Sequence, residues 1–236
     1  MLEDTNHPST SRLHLPFLST RPRVQKNVVR SFYGLIAVIL TYTLIAQCIL
    51  TYSEGRSLAN TFSYFTIQSN VLVIITSALL AIKPDSAGMA WRLLRLAALV
   101  GIATTGFVYI LFLAKYVHLT GAAATYNDVF HYITPIVSVI GFLLLEPKHH
   151  FKWRDFWFMA WPVAWLVYTM IRGAFFHPLF TGFSASPSSY PYEFLDISRV
   201  PLSEVLLSIL LVTAIIACFG ALIVAYDKHI KIDRSQ

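Results

Sequence analysis

The stretch Ser63-Tyr64-Phe65-Thr66-Ile67-Gln68-Ser69-Asn70 opens a long apolar run that extends to Ile82. It places hydroxyl and amide side chains in the first turns of a segment that is long enough to cross a membrane, for which about 20 apolar residues are needed. Polar side chains that enter lipid carry a free-energy cost, so their presence indicates a packing or chemical role. The stretch therefore predicts both a membrane span and a polar site at one end of it.

The composition of the whole chain is typical of a membrane protein. Of its 236 residues, 56% are hydrophobic and 13% are charged, whereas a soluble domain carries roughly 25% charged residues. The net charge of +6 would suit a nucleic-acid-binding protein, but the charges fall between the apolar runs. We therefore interpret them as signals of membrane topology and expect the lipid bilayer, not nucleic acid, as the partner.

The apolar runs predict an all-α fold, a polytopic bundle of six transmembrane helices. The expected spans are residues 31–52, 60–82, 91–115, 128–146, 155–176 and 202–226. They form one transmembrane domain, residues 31–227. Residues 1–30 are expected to be a disordered, basic cytoplasmic tail rather than a signal peptide, because no small-residue cleavage site follows the first apolar run. Residues 228–236 are expected to form a second cytoplasmic tail.

The distribution of basic residues predicts the orientation of the bundle. Fourteen of the 18 Lys and Arg residues fall on the side that holds both termini, three fall on the other side, and Arg172 lies within a span. Cytoplasmic loops carry the excess of basic residues, so both termini are expected in the cytoplasm. Pro84 and Pro147 support the ends of the second and fourth spans, because proline cannot continue a helix.

With this orientation, the polar side chains of the spans fall at one depth, in the outer leaflet. They are a hydroxyl, an imidazole, two amides and a guanidinium, contributed by Thr66, His131, Gln68, Asn70 and Arg172. Each alone has a plainer interpretation: a threonine that bonds its own helix, amides or a histidine that join helices, and an arginine that reaches the headgroups. Together they are the parts of a nucleophile, a general base and an oxyanion site.

Four motifs, in order along these spans, carry a resemblance to a known family. They are Tyr64-Phe65-Thr66-Ile67-Gln68-Ser69-Asn70, His131-Tyr132-Ile133-Thr134-Pro135, Val167-Tyr168-Thr169-Met170-Ile171-Arg172-Gly173 and Tyr190-Pro191-Tyr192-Glu193-Phe194-Leu195-Asp196. The chain resembles the androgen-induced and androgen-dependent family of multi-pass membrane threonine hydrolases, and most closely that family's bacterial relatives. The resemblance covers the six spans, from about Ser31 to Tyr226.

The resemblance implies an intramembrane esterase that cleaves lipid esters, of the type formed by fatty acids with hydroxy fatty acids, in the inner membrane of a bacterium. It assigns the nucleophile to Thr66 and the base to His131, and no cofactor is expected. We expect the oxyanion or substrate to be positioned by Asn70, Gln68 or Arg172. The residues expected to support the site are Asp128, Thr134, Tyr168, Tyr190, Asp196 and Glu204.

Other classes of function remain open from the sequence. A protein that binds or transports a lipid or small molecule would use the same polar cluster without chemical change. A structural or assembly factor would depend instead on the long loop His177–Pro201, which is expected to be a lid or a re-entrant segment. A metal site is not expected, because His149 and His150 lie at the opposite membrane surface from His131.

Overall fold

The computed structural model describes residues 22–181 and 187–230, and these residues contain no β-strand, only an isolated antiparallel bridge between Phe180 and Ser188. The α-helices are α1 (Pro22–Ser53), α2 (Leu58–Thr61), α3 (Phe65–Ile82), α4 (Met89–Val108), α5 (Gly121–Asp128), α6 (Thr134–Leu144), α7 (Ala160–Phe176) and α8 (Leu202–His229). Two π-helical turns occur at Tyr109–Leu113 and Val129–Ile133. Short 3₁₀ helices occur at Ala114–Tyr116, Trp153–Met159 and Glu193–Leu195.

Five helical segments of the described chain are long and apolar enough to cross a membrane. They are Arg23–Ser53, Phe65–Ile82, Met89–Tyr116, Gly121–Leu144 and Leu202–His229. The all-α fold class is thus confirmed, and these segments indicate an integral membrane protein with several spans.

The segment predicted as the fifth span, residues 155–176, is divided in the structure. It consists of the 3₁₀ helix Trp153–Met159 followed by α7, which has 17 residues. A straight span requires about 17–25 residues, so α7 alone is at the lower limit. Pro162 lies in the first turn of α7, where a missing backbone N–H costs no helical hydrogen bond.

Two helices begin earlier than hydropathy predicted. Helix α1 begins at Pro22 rather than near Ser31, and the fourth helical segment begins at Gly121 rather than near Asp128. Three alanines at positions 122–124 are only moderately apolar, but alanine is the strongest helix former. His131 therefore lies ten residues, not three, into its helical segment. Residues 1–21 and 231–236, which make up most of the predicted tails, lie outside the described residues.

Helix α4 occupies the centre of the bundle. It packs against α3, α6 and α8, and α1 packs on α3 from the other side. Leu96, Leu99 and Ile102 of α4 are buried, whereas α8 leaves a row of leucines exposed at Leu206, Leu207 and Leu210. The exposed face of α8 suits contact with lipid, and the interface of α3 and α4 forms the interior in which polar groups are enclosed.

The described part of the loop between α7 and α8 folds back into the bundle. Tyr192 and Leu195 are buried, and a side chain at Gly173 of α7 would come within 2.3 Å of the Tyr190 ring. Asp196 is buried and accepts a hydrogen bond of 2.7 Å from Ser188 Oγ, which closes the loop on itself. This segment therefore belongs to the core of the fold.

The opposite end of the bundle contains buried charges, which lie at the ends of the predicted spans. Arg95 of α4 pairs with Glu146 and donates to Thr76 Oγ1 at 3.0 Å, and Arg92 pairs with Asp155 at 2.7 Å. The sequence analysis counted both arginines only as topology signals and did not predict these ion pairs. Each arginine is buried because a distant segment supplies the carboxylate that neutralises it.

Candidate functional site

The structure brings Thr66 and His131 into contact across two helices. Thr66 Oγ1 lies 3.2 Å from His131 Nε2, and both side chains are at least nine-tenths buried. Thr66 is the second residue of α3. His131 is the central residue of the π-helical turn Val129–Ile133. We refer to these two residues as the dyad.

The second nitrogen of His131 fixes the tautomer of the ring. Nδ1 lies 3.0 Å from the backbone carbonyl oxygen of Asn127. A carbonyl oxygen only accepts hydrogen bonds, so Nδ1 carries the proton and Nε2 of the neutral ring presents its lone pair to Thr66. The Thr66 hydroxyl is therefore the donor in the dyad, which is the arrangement that a nucleophile and its general base require.

An aromatic residue that the sequence interpretation missed holds the imidazole in place. The Tyr109 ring stacks on His131 with a centroid distance of 3.9 Å and an interplanar angle of 24°. The Tyr109 hydroxyl accepts a hydrogen bond of 2.7 Å from the Asn127 side chain. Tyr109 thus fixes both the ring of His131 and the residue whose carbonyl orients it. Aromatic residues are frequent in membrane spans, so nothing local distinguished Tyr109 in the sequence.

Close contact between α4 and α6 depends on Gly106. A Cβ atom at this position would lie 2.7 Å from Pro135 Cβ and 3.2 Å from the His131 carbonyl oxygen. Pro135 has no backbone N–H, so it cannot bond the His131 carbonyl within its helix. The π-helical turn is also held by Thr134, whose hydroxyl donates to the Val129 carbonyl at 2.7 Å. Local irregularities of this kind often occur at functional sites.

A largely apolar cavity borders the dyad. It encloses about 780 Å³ of empty space, counting the part that opens to the surroundings, and Thr66 lies in its wall. His131 is not among the lining residues, so the Thr66 hydroxyl stands between the cavity and the imidazole. Helices α4, α7 and α8 supply most of the apolar wall, through Val108, Trp165, Leu166, Ile209, Val212 and Ile216.

Tyr192 of the folded-back loop also lines the cavity and carries a polar group. Burial raises the pKa of the Tyr192 phenol above its usual value, and hydrogen bonding with the Thr66 side chain and with the backbone of Thr66 and Phe65 partly offsets this effect. The sequence interpretation selected the neighbouring Tyr190, because nothing in the sequence showed which tyrosine would face the cavity.

The amides expected to hold an oxyanion occupy other positions. The Asn70 side chain donates to the backbone carbonyls of Thr66 at 2.9 Å and Phe130 at 3.4 Å, and it does not line the cavity. It links α3 to the π-helical turn and so holds the two halves of the dyad together. Gln68 donates to the Phe62 carbonyl at 3.1 Å, which closes the chain onto the start of α3.

Arg172 is not brought to the dyad either. It donates to the Asn60 side chain at 2.6 Å and stacks over Phe180 at 5.5 Å. With Tyr168, which shares a hydrogen bond of 2.9 Å with Ser63, it lines a separate and open pocket at the same end of the bundle. The structure thus separates the guanidinium from the hydroxyl and the imidazole.

The remaining supporting residues do not contact the dyad. Asp128 is exposed, and Glu204 lies in the first turn of α8 and lines a different pocket. Tyr190 packs on Gly173. Asp196 bonds Ser188 and Ser198, and these bonds lower the pKa of its carboxyl although burial alone would raise it. No carboxylate of the described residues is bonded to His131; the Asn127 carbonyl takes that position.

Within residues 22–181 and 187–230, no group of three or more His, Cys, Asp or Glu side chains is arranged to hold a metal ion. Comparisons of the chain with protein-family models, with curated proteins and with solved structures found no match. The resemblance to the androgen-induced and androgen-dependent hydrolases therefore stays a prediction that rests on the four motifs.

Proposed function

We propose that the chain is an intramembrane threonine esterase that cleaves a lipid ester, with Thr66 as nucleophile and His131 as general base. The observation that carries the proposal is the hydrogen bond between the Thr66 hydroxyl and His131 Nε2 at the wall of an apolar cavity. The tautomer set by Asn127 leaves Nε2 free to accept the proton. The motif resemblance supports the same two residues and the same class of substrate.

In the proposed acylation step the ester carbonyl carbon lies in the cavity against Thr66 Oγ1. The oxygen attacks that carbon while its proton passes to His131 Nε2, and a tetrahedral oxyanion forms. When the bond to the alcohol oxygen breaks, His131 returns the proton to the leaving alkoxide. The step releases an alcohol and leaves an acyl-threonine. A positioned general base contributes about 10²–10⁴ in rate.

In the proposed deacylation step, water is the nucleophile and the Thr66 oxygen is the leaving group. Water attacks the acyl-threonine carbonyl and gives a proton to His131 Nε2. The bond to Thr66 Oγ1 then breaks, the proton returns to that oxygen, and a free fatty acid leaves. Tyr192 lines the same cavity as Thr66, and we propose that its phenol donates a hydrogen bond to the oxyanion in both steps. One such donor is worth about 3 kcal/mol of transition-state stabilisation.

Active-site labelling tests the dyad directly. We expect the purified protein to react with a fluorophosphonate probe at Thr66, and both Thr66→Ala and His131→Ala to lose the adduct and lipid-ester turnover while they remain folded. Thr66→Ser keeps a hydroxyl in the same place and should retain labelling. The adduct is located by mass spectrometry.

Thr43→Ala is the matched control, because Thr43 is a buried threonine of α1 that bonds only the Ile39 carbonyl, at 2.9 Å. Labelling and turnover that persist in both Thr66→Ala and His131→Ala would show that the site lies elsewhere. A folded protein that never labels but retains a lipid would favour the alternative, a lipid-binding or transport protein that uses the same cavity.

We further propose that α7 is also a span, the fifth in chain order, which brings the total to six, that both termini are cytoplasmic, and that the chain resides in a bacterial inner membrane. The excess of basic residues on the side of the termini supports this orientation, and it places the dyad on the outer side, where water is available for deacylation. Residues of α7 remain exposed along one face, as contact with lipid requires.

Cysteine accessibility tests this topology. In a Cys48→Ala, Cys218→Ala background, a membrane-impermeant maleimide applied to intact cells should label His177→Cys and leave Arg154→Cys unlabelled, because the two positions flank α7 and both are exposed. The reverse pattern would invert the orientation. Equal labelling of both positions would show that α7 does not cross the membrane.

A further inference from the structure

We propose that the hydroxyls of Thr104 and Thr105 hold an oxygen atom of an acyl ligand inside the cavity beside Thr66. The cavity would then take the ester or carboxyl group of a fatty-acyl compound rather than a plain hydrocarbon chain. This inference rests on the proposed function and deepens it, since it names the residues that recognise the acyl group. A binding experiment tests it without any ester turnover.

Three observations coincide at these two residues. Both lie on α4 and line the cavity together with Thr66. Both are almost fully buried, with 2% of Thr104 and 5% of Thr105 exposed. The Oγ1 atom of each has no hydrogen-bond partner. A buried hydroxyl without a partner destabilises the protein, so a ligand oxygen that accepts a hydrogen bond at this place would be favourable.

Threonines in helices ordinarily avoid this cost by bonding their own backbone. Thr43 donates to the Ile39 carbonyl and Thr76 to the Leu72 carbonyl, each at 2.9 Å. Such a bond to the residue four positions earlier satisfies the hydroxyl inside an apolar surrounding. Thr104 and Thr105 do not form it, although the same helical geometry is available to them. Their hydroxyls therefore remain without the partner that a helical threonine ordinarily finds.

The position of the unpaired groups distinguishes these two threonines from the others. Among the described residues, buried side-chain atoms without a partner also occur in Ser69, Asn70, Ser77, Ser138 and Thr169. None of those five residues lines the cavity. Thr104 and Thr105 are thus the residues that combine an unpaired hydroxyl with a place in the wall of the cavity that Thr66 also lines. A carbonyl or carboxylate oxygen attached to a long chain suits a site with both features.

Tryptophan fluorescence provides a binding assay, because Trp165 lies in the same cavity wall. The full-length protein is purified in a Thr66→Ala background, so that no ester is turned over. A dibrominated fatty acid methyl ester and a dibrominated alkane of matched length are titrated as quenchers. Trp165→Phe identifies the part of the quenching that reports on the cavity.

We expect the ester to bind more tightly than the alkane, and Thr104→Val and Thr105→Val each to reduce that preference about tenfold, as loss of one hydrogen bond predicts. Alkane affinity should not change. Thr169→Val is the matched control, since it removes an equally buried and unpaired hydroxyl outside the cavity, and it should keep the preference. Each valine variant should have an unfolding midpoint equal to or above that of the parent.

Equal binding of ester and alkane by the parent would overturn the proposal, and so would an undiminished preference in Thr104→Val and Thr105→Val. Failure of the proposed hydrolysis would be distinguishable from this. The ester preference would still depend on Thr104 and Thr105, but Thr66 would never label with a fluorophosphonate. That result would identify a protein that binds acyl ligands without cleaving them.

Discussion

At the scale of single residues, a backbone carbonyl determines which member of the dyad donates the hydrogen bond. The carbonyl of Asn127 holds the proton on His131 Nδ1, the position that a carboxylate occupies in a Ser-His-Asp triad. A neutral carbonyl orients the ring as a carboxylate does, but it stabilises the charged imidazolium less. Hydrogen-bond donors in the cavity wall, above all Tyr192, are therefore expected to contribute much of the transition-state stabilisation.

Substitution of Tyr192 tests this contribution. Tyr192→Phe removes the phenolic donor and keeps the ring that packs among Tyr64, Trp165 and Phe194. We expect kcat for lipid-ester hydrolysis to fall about 100-fold with little change in KM, because the bond is made mainly to the oxyanion. Tyr190→Phe, two residues away and outside the cavity wall, is the control. A Tyr192→Phe protein with the parent kcat would exclude the phenol from the oxyanion site.

At the scale of secondary-structure elements, two π-helical turns and a glycine create the contact between α4 and α6. One turn begins at Tyr109 and the other contains His131, and the two aromatic rings stack. Gly106, one turn before Tyr109, lets the two helices approach. A regular helix at either place would turn one of these rings away from the other, since each π-helical turn inserts one residue into the helical repeat.

Substitution of Gly106 tests whether the dyad requires the close approach of α4 and α6. A side chain in Gly106→Val would meet the rigid Pro135 ring and the His131 backbone. We expect α4 and α6 to separate, the fluorophosphonate adduct to be lost, and the free energy of unfolding to fall by about 1–3 kcal/mol. Gly34→Ala is the control, because its nearest neighbour would lie at an ordinary 3.6 Å. A Gly106→Val protein that labels normally would show that the close approach is unnecessary.

At the scale of the whole molecule, the two ends of the bundle carry different polar chemistry. The groups that hydrogen-bond to the dyad are neutral, whereas the opposite end encloses paired charges. There Arg95 and Glu146 are joined by Tyr33 and Thr76, so that α1, α3, α4 and the segment after α6 share one buried network. The network joins these helices at the end of the bundle opposite the dyad.

Removal of one partner of the Arg95–Glu146 pair should therefore lower the free energy of unfolding and leave labelling of the dyad unchanged. Glu146→Gln leaves Arg95 as an uncompensated buried charge, and we expect a loss of about 3–5 kcal/mol in the free energy of unfolding, measured by thermal or denaturant unfolding in detergent. The double variant Arg95→Met, Glu146→Leu should recover most of this loss. Glu54→Gln, which breaks an exposed pair with Arg56, should change stability by less than about 1 kcal/mol.

The opposite results would be equally informative. A Glu146→Gln protein as stable as the parent would mean that Arg95 finds another partner or water. A double variant no more stable than Glu146→Gln would mean that the shape of the two side chains, rather than their charge balance, holds this end of the bundle together.

Hydropathy and residue order were sufficient to predict an all-α membrane protein, because a span is a property of about 20 consecutive residues and needs no knowledge of its neighbours. They also selected Thr66 and His131, since each interrupts an apolar run at a similar predicted depth. The sequence pattern placed the start of the fourth helical segment too late, because the weakly apolar alanines after Gly121 contribute little to hydropathy although they favour helix.

Only the tertiary structure decided which other side chains meet the dyad. In a membrane both the lipid-facing and the core-facing sides of a helix are apolar, so the rotation of each helix cannot be read from its hydrophobic pattern. Tyr109, Gly106 and Tyr192 reach the site through that rotation and through a loop that folds back into the bundle. The burial of Arg95 could not be predicted either, because its partner Glu146 is 51 positions away and only the packed helices bring the two charges together.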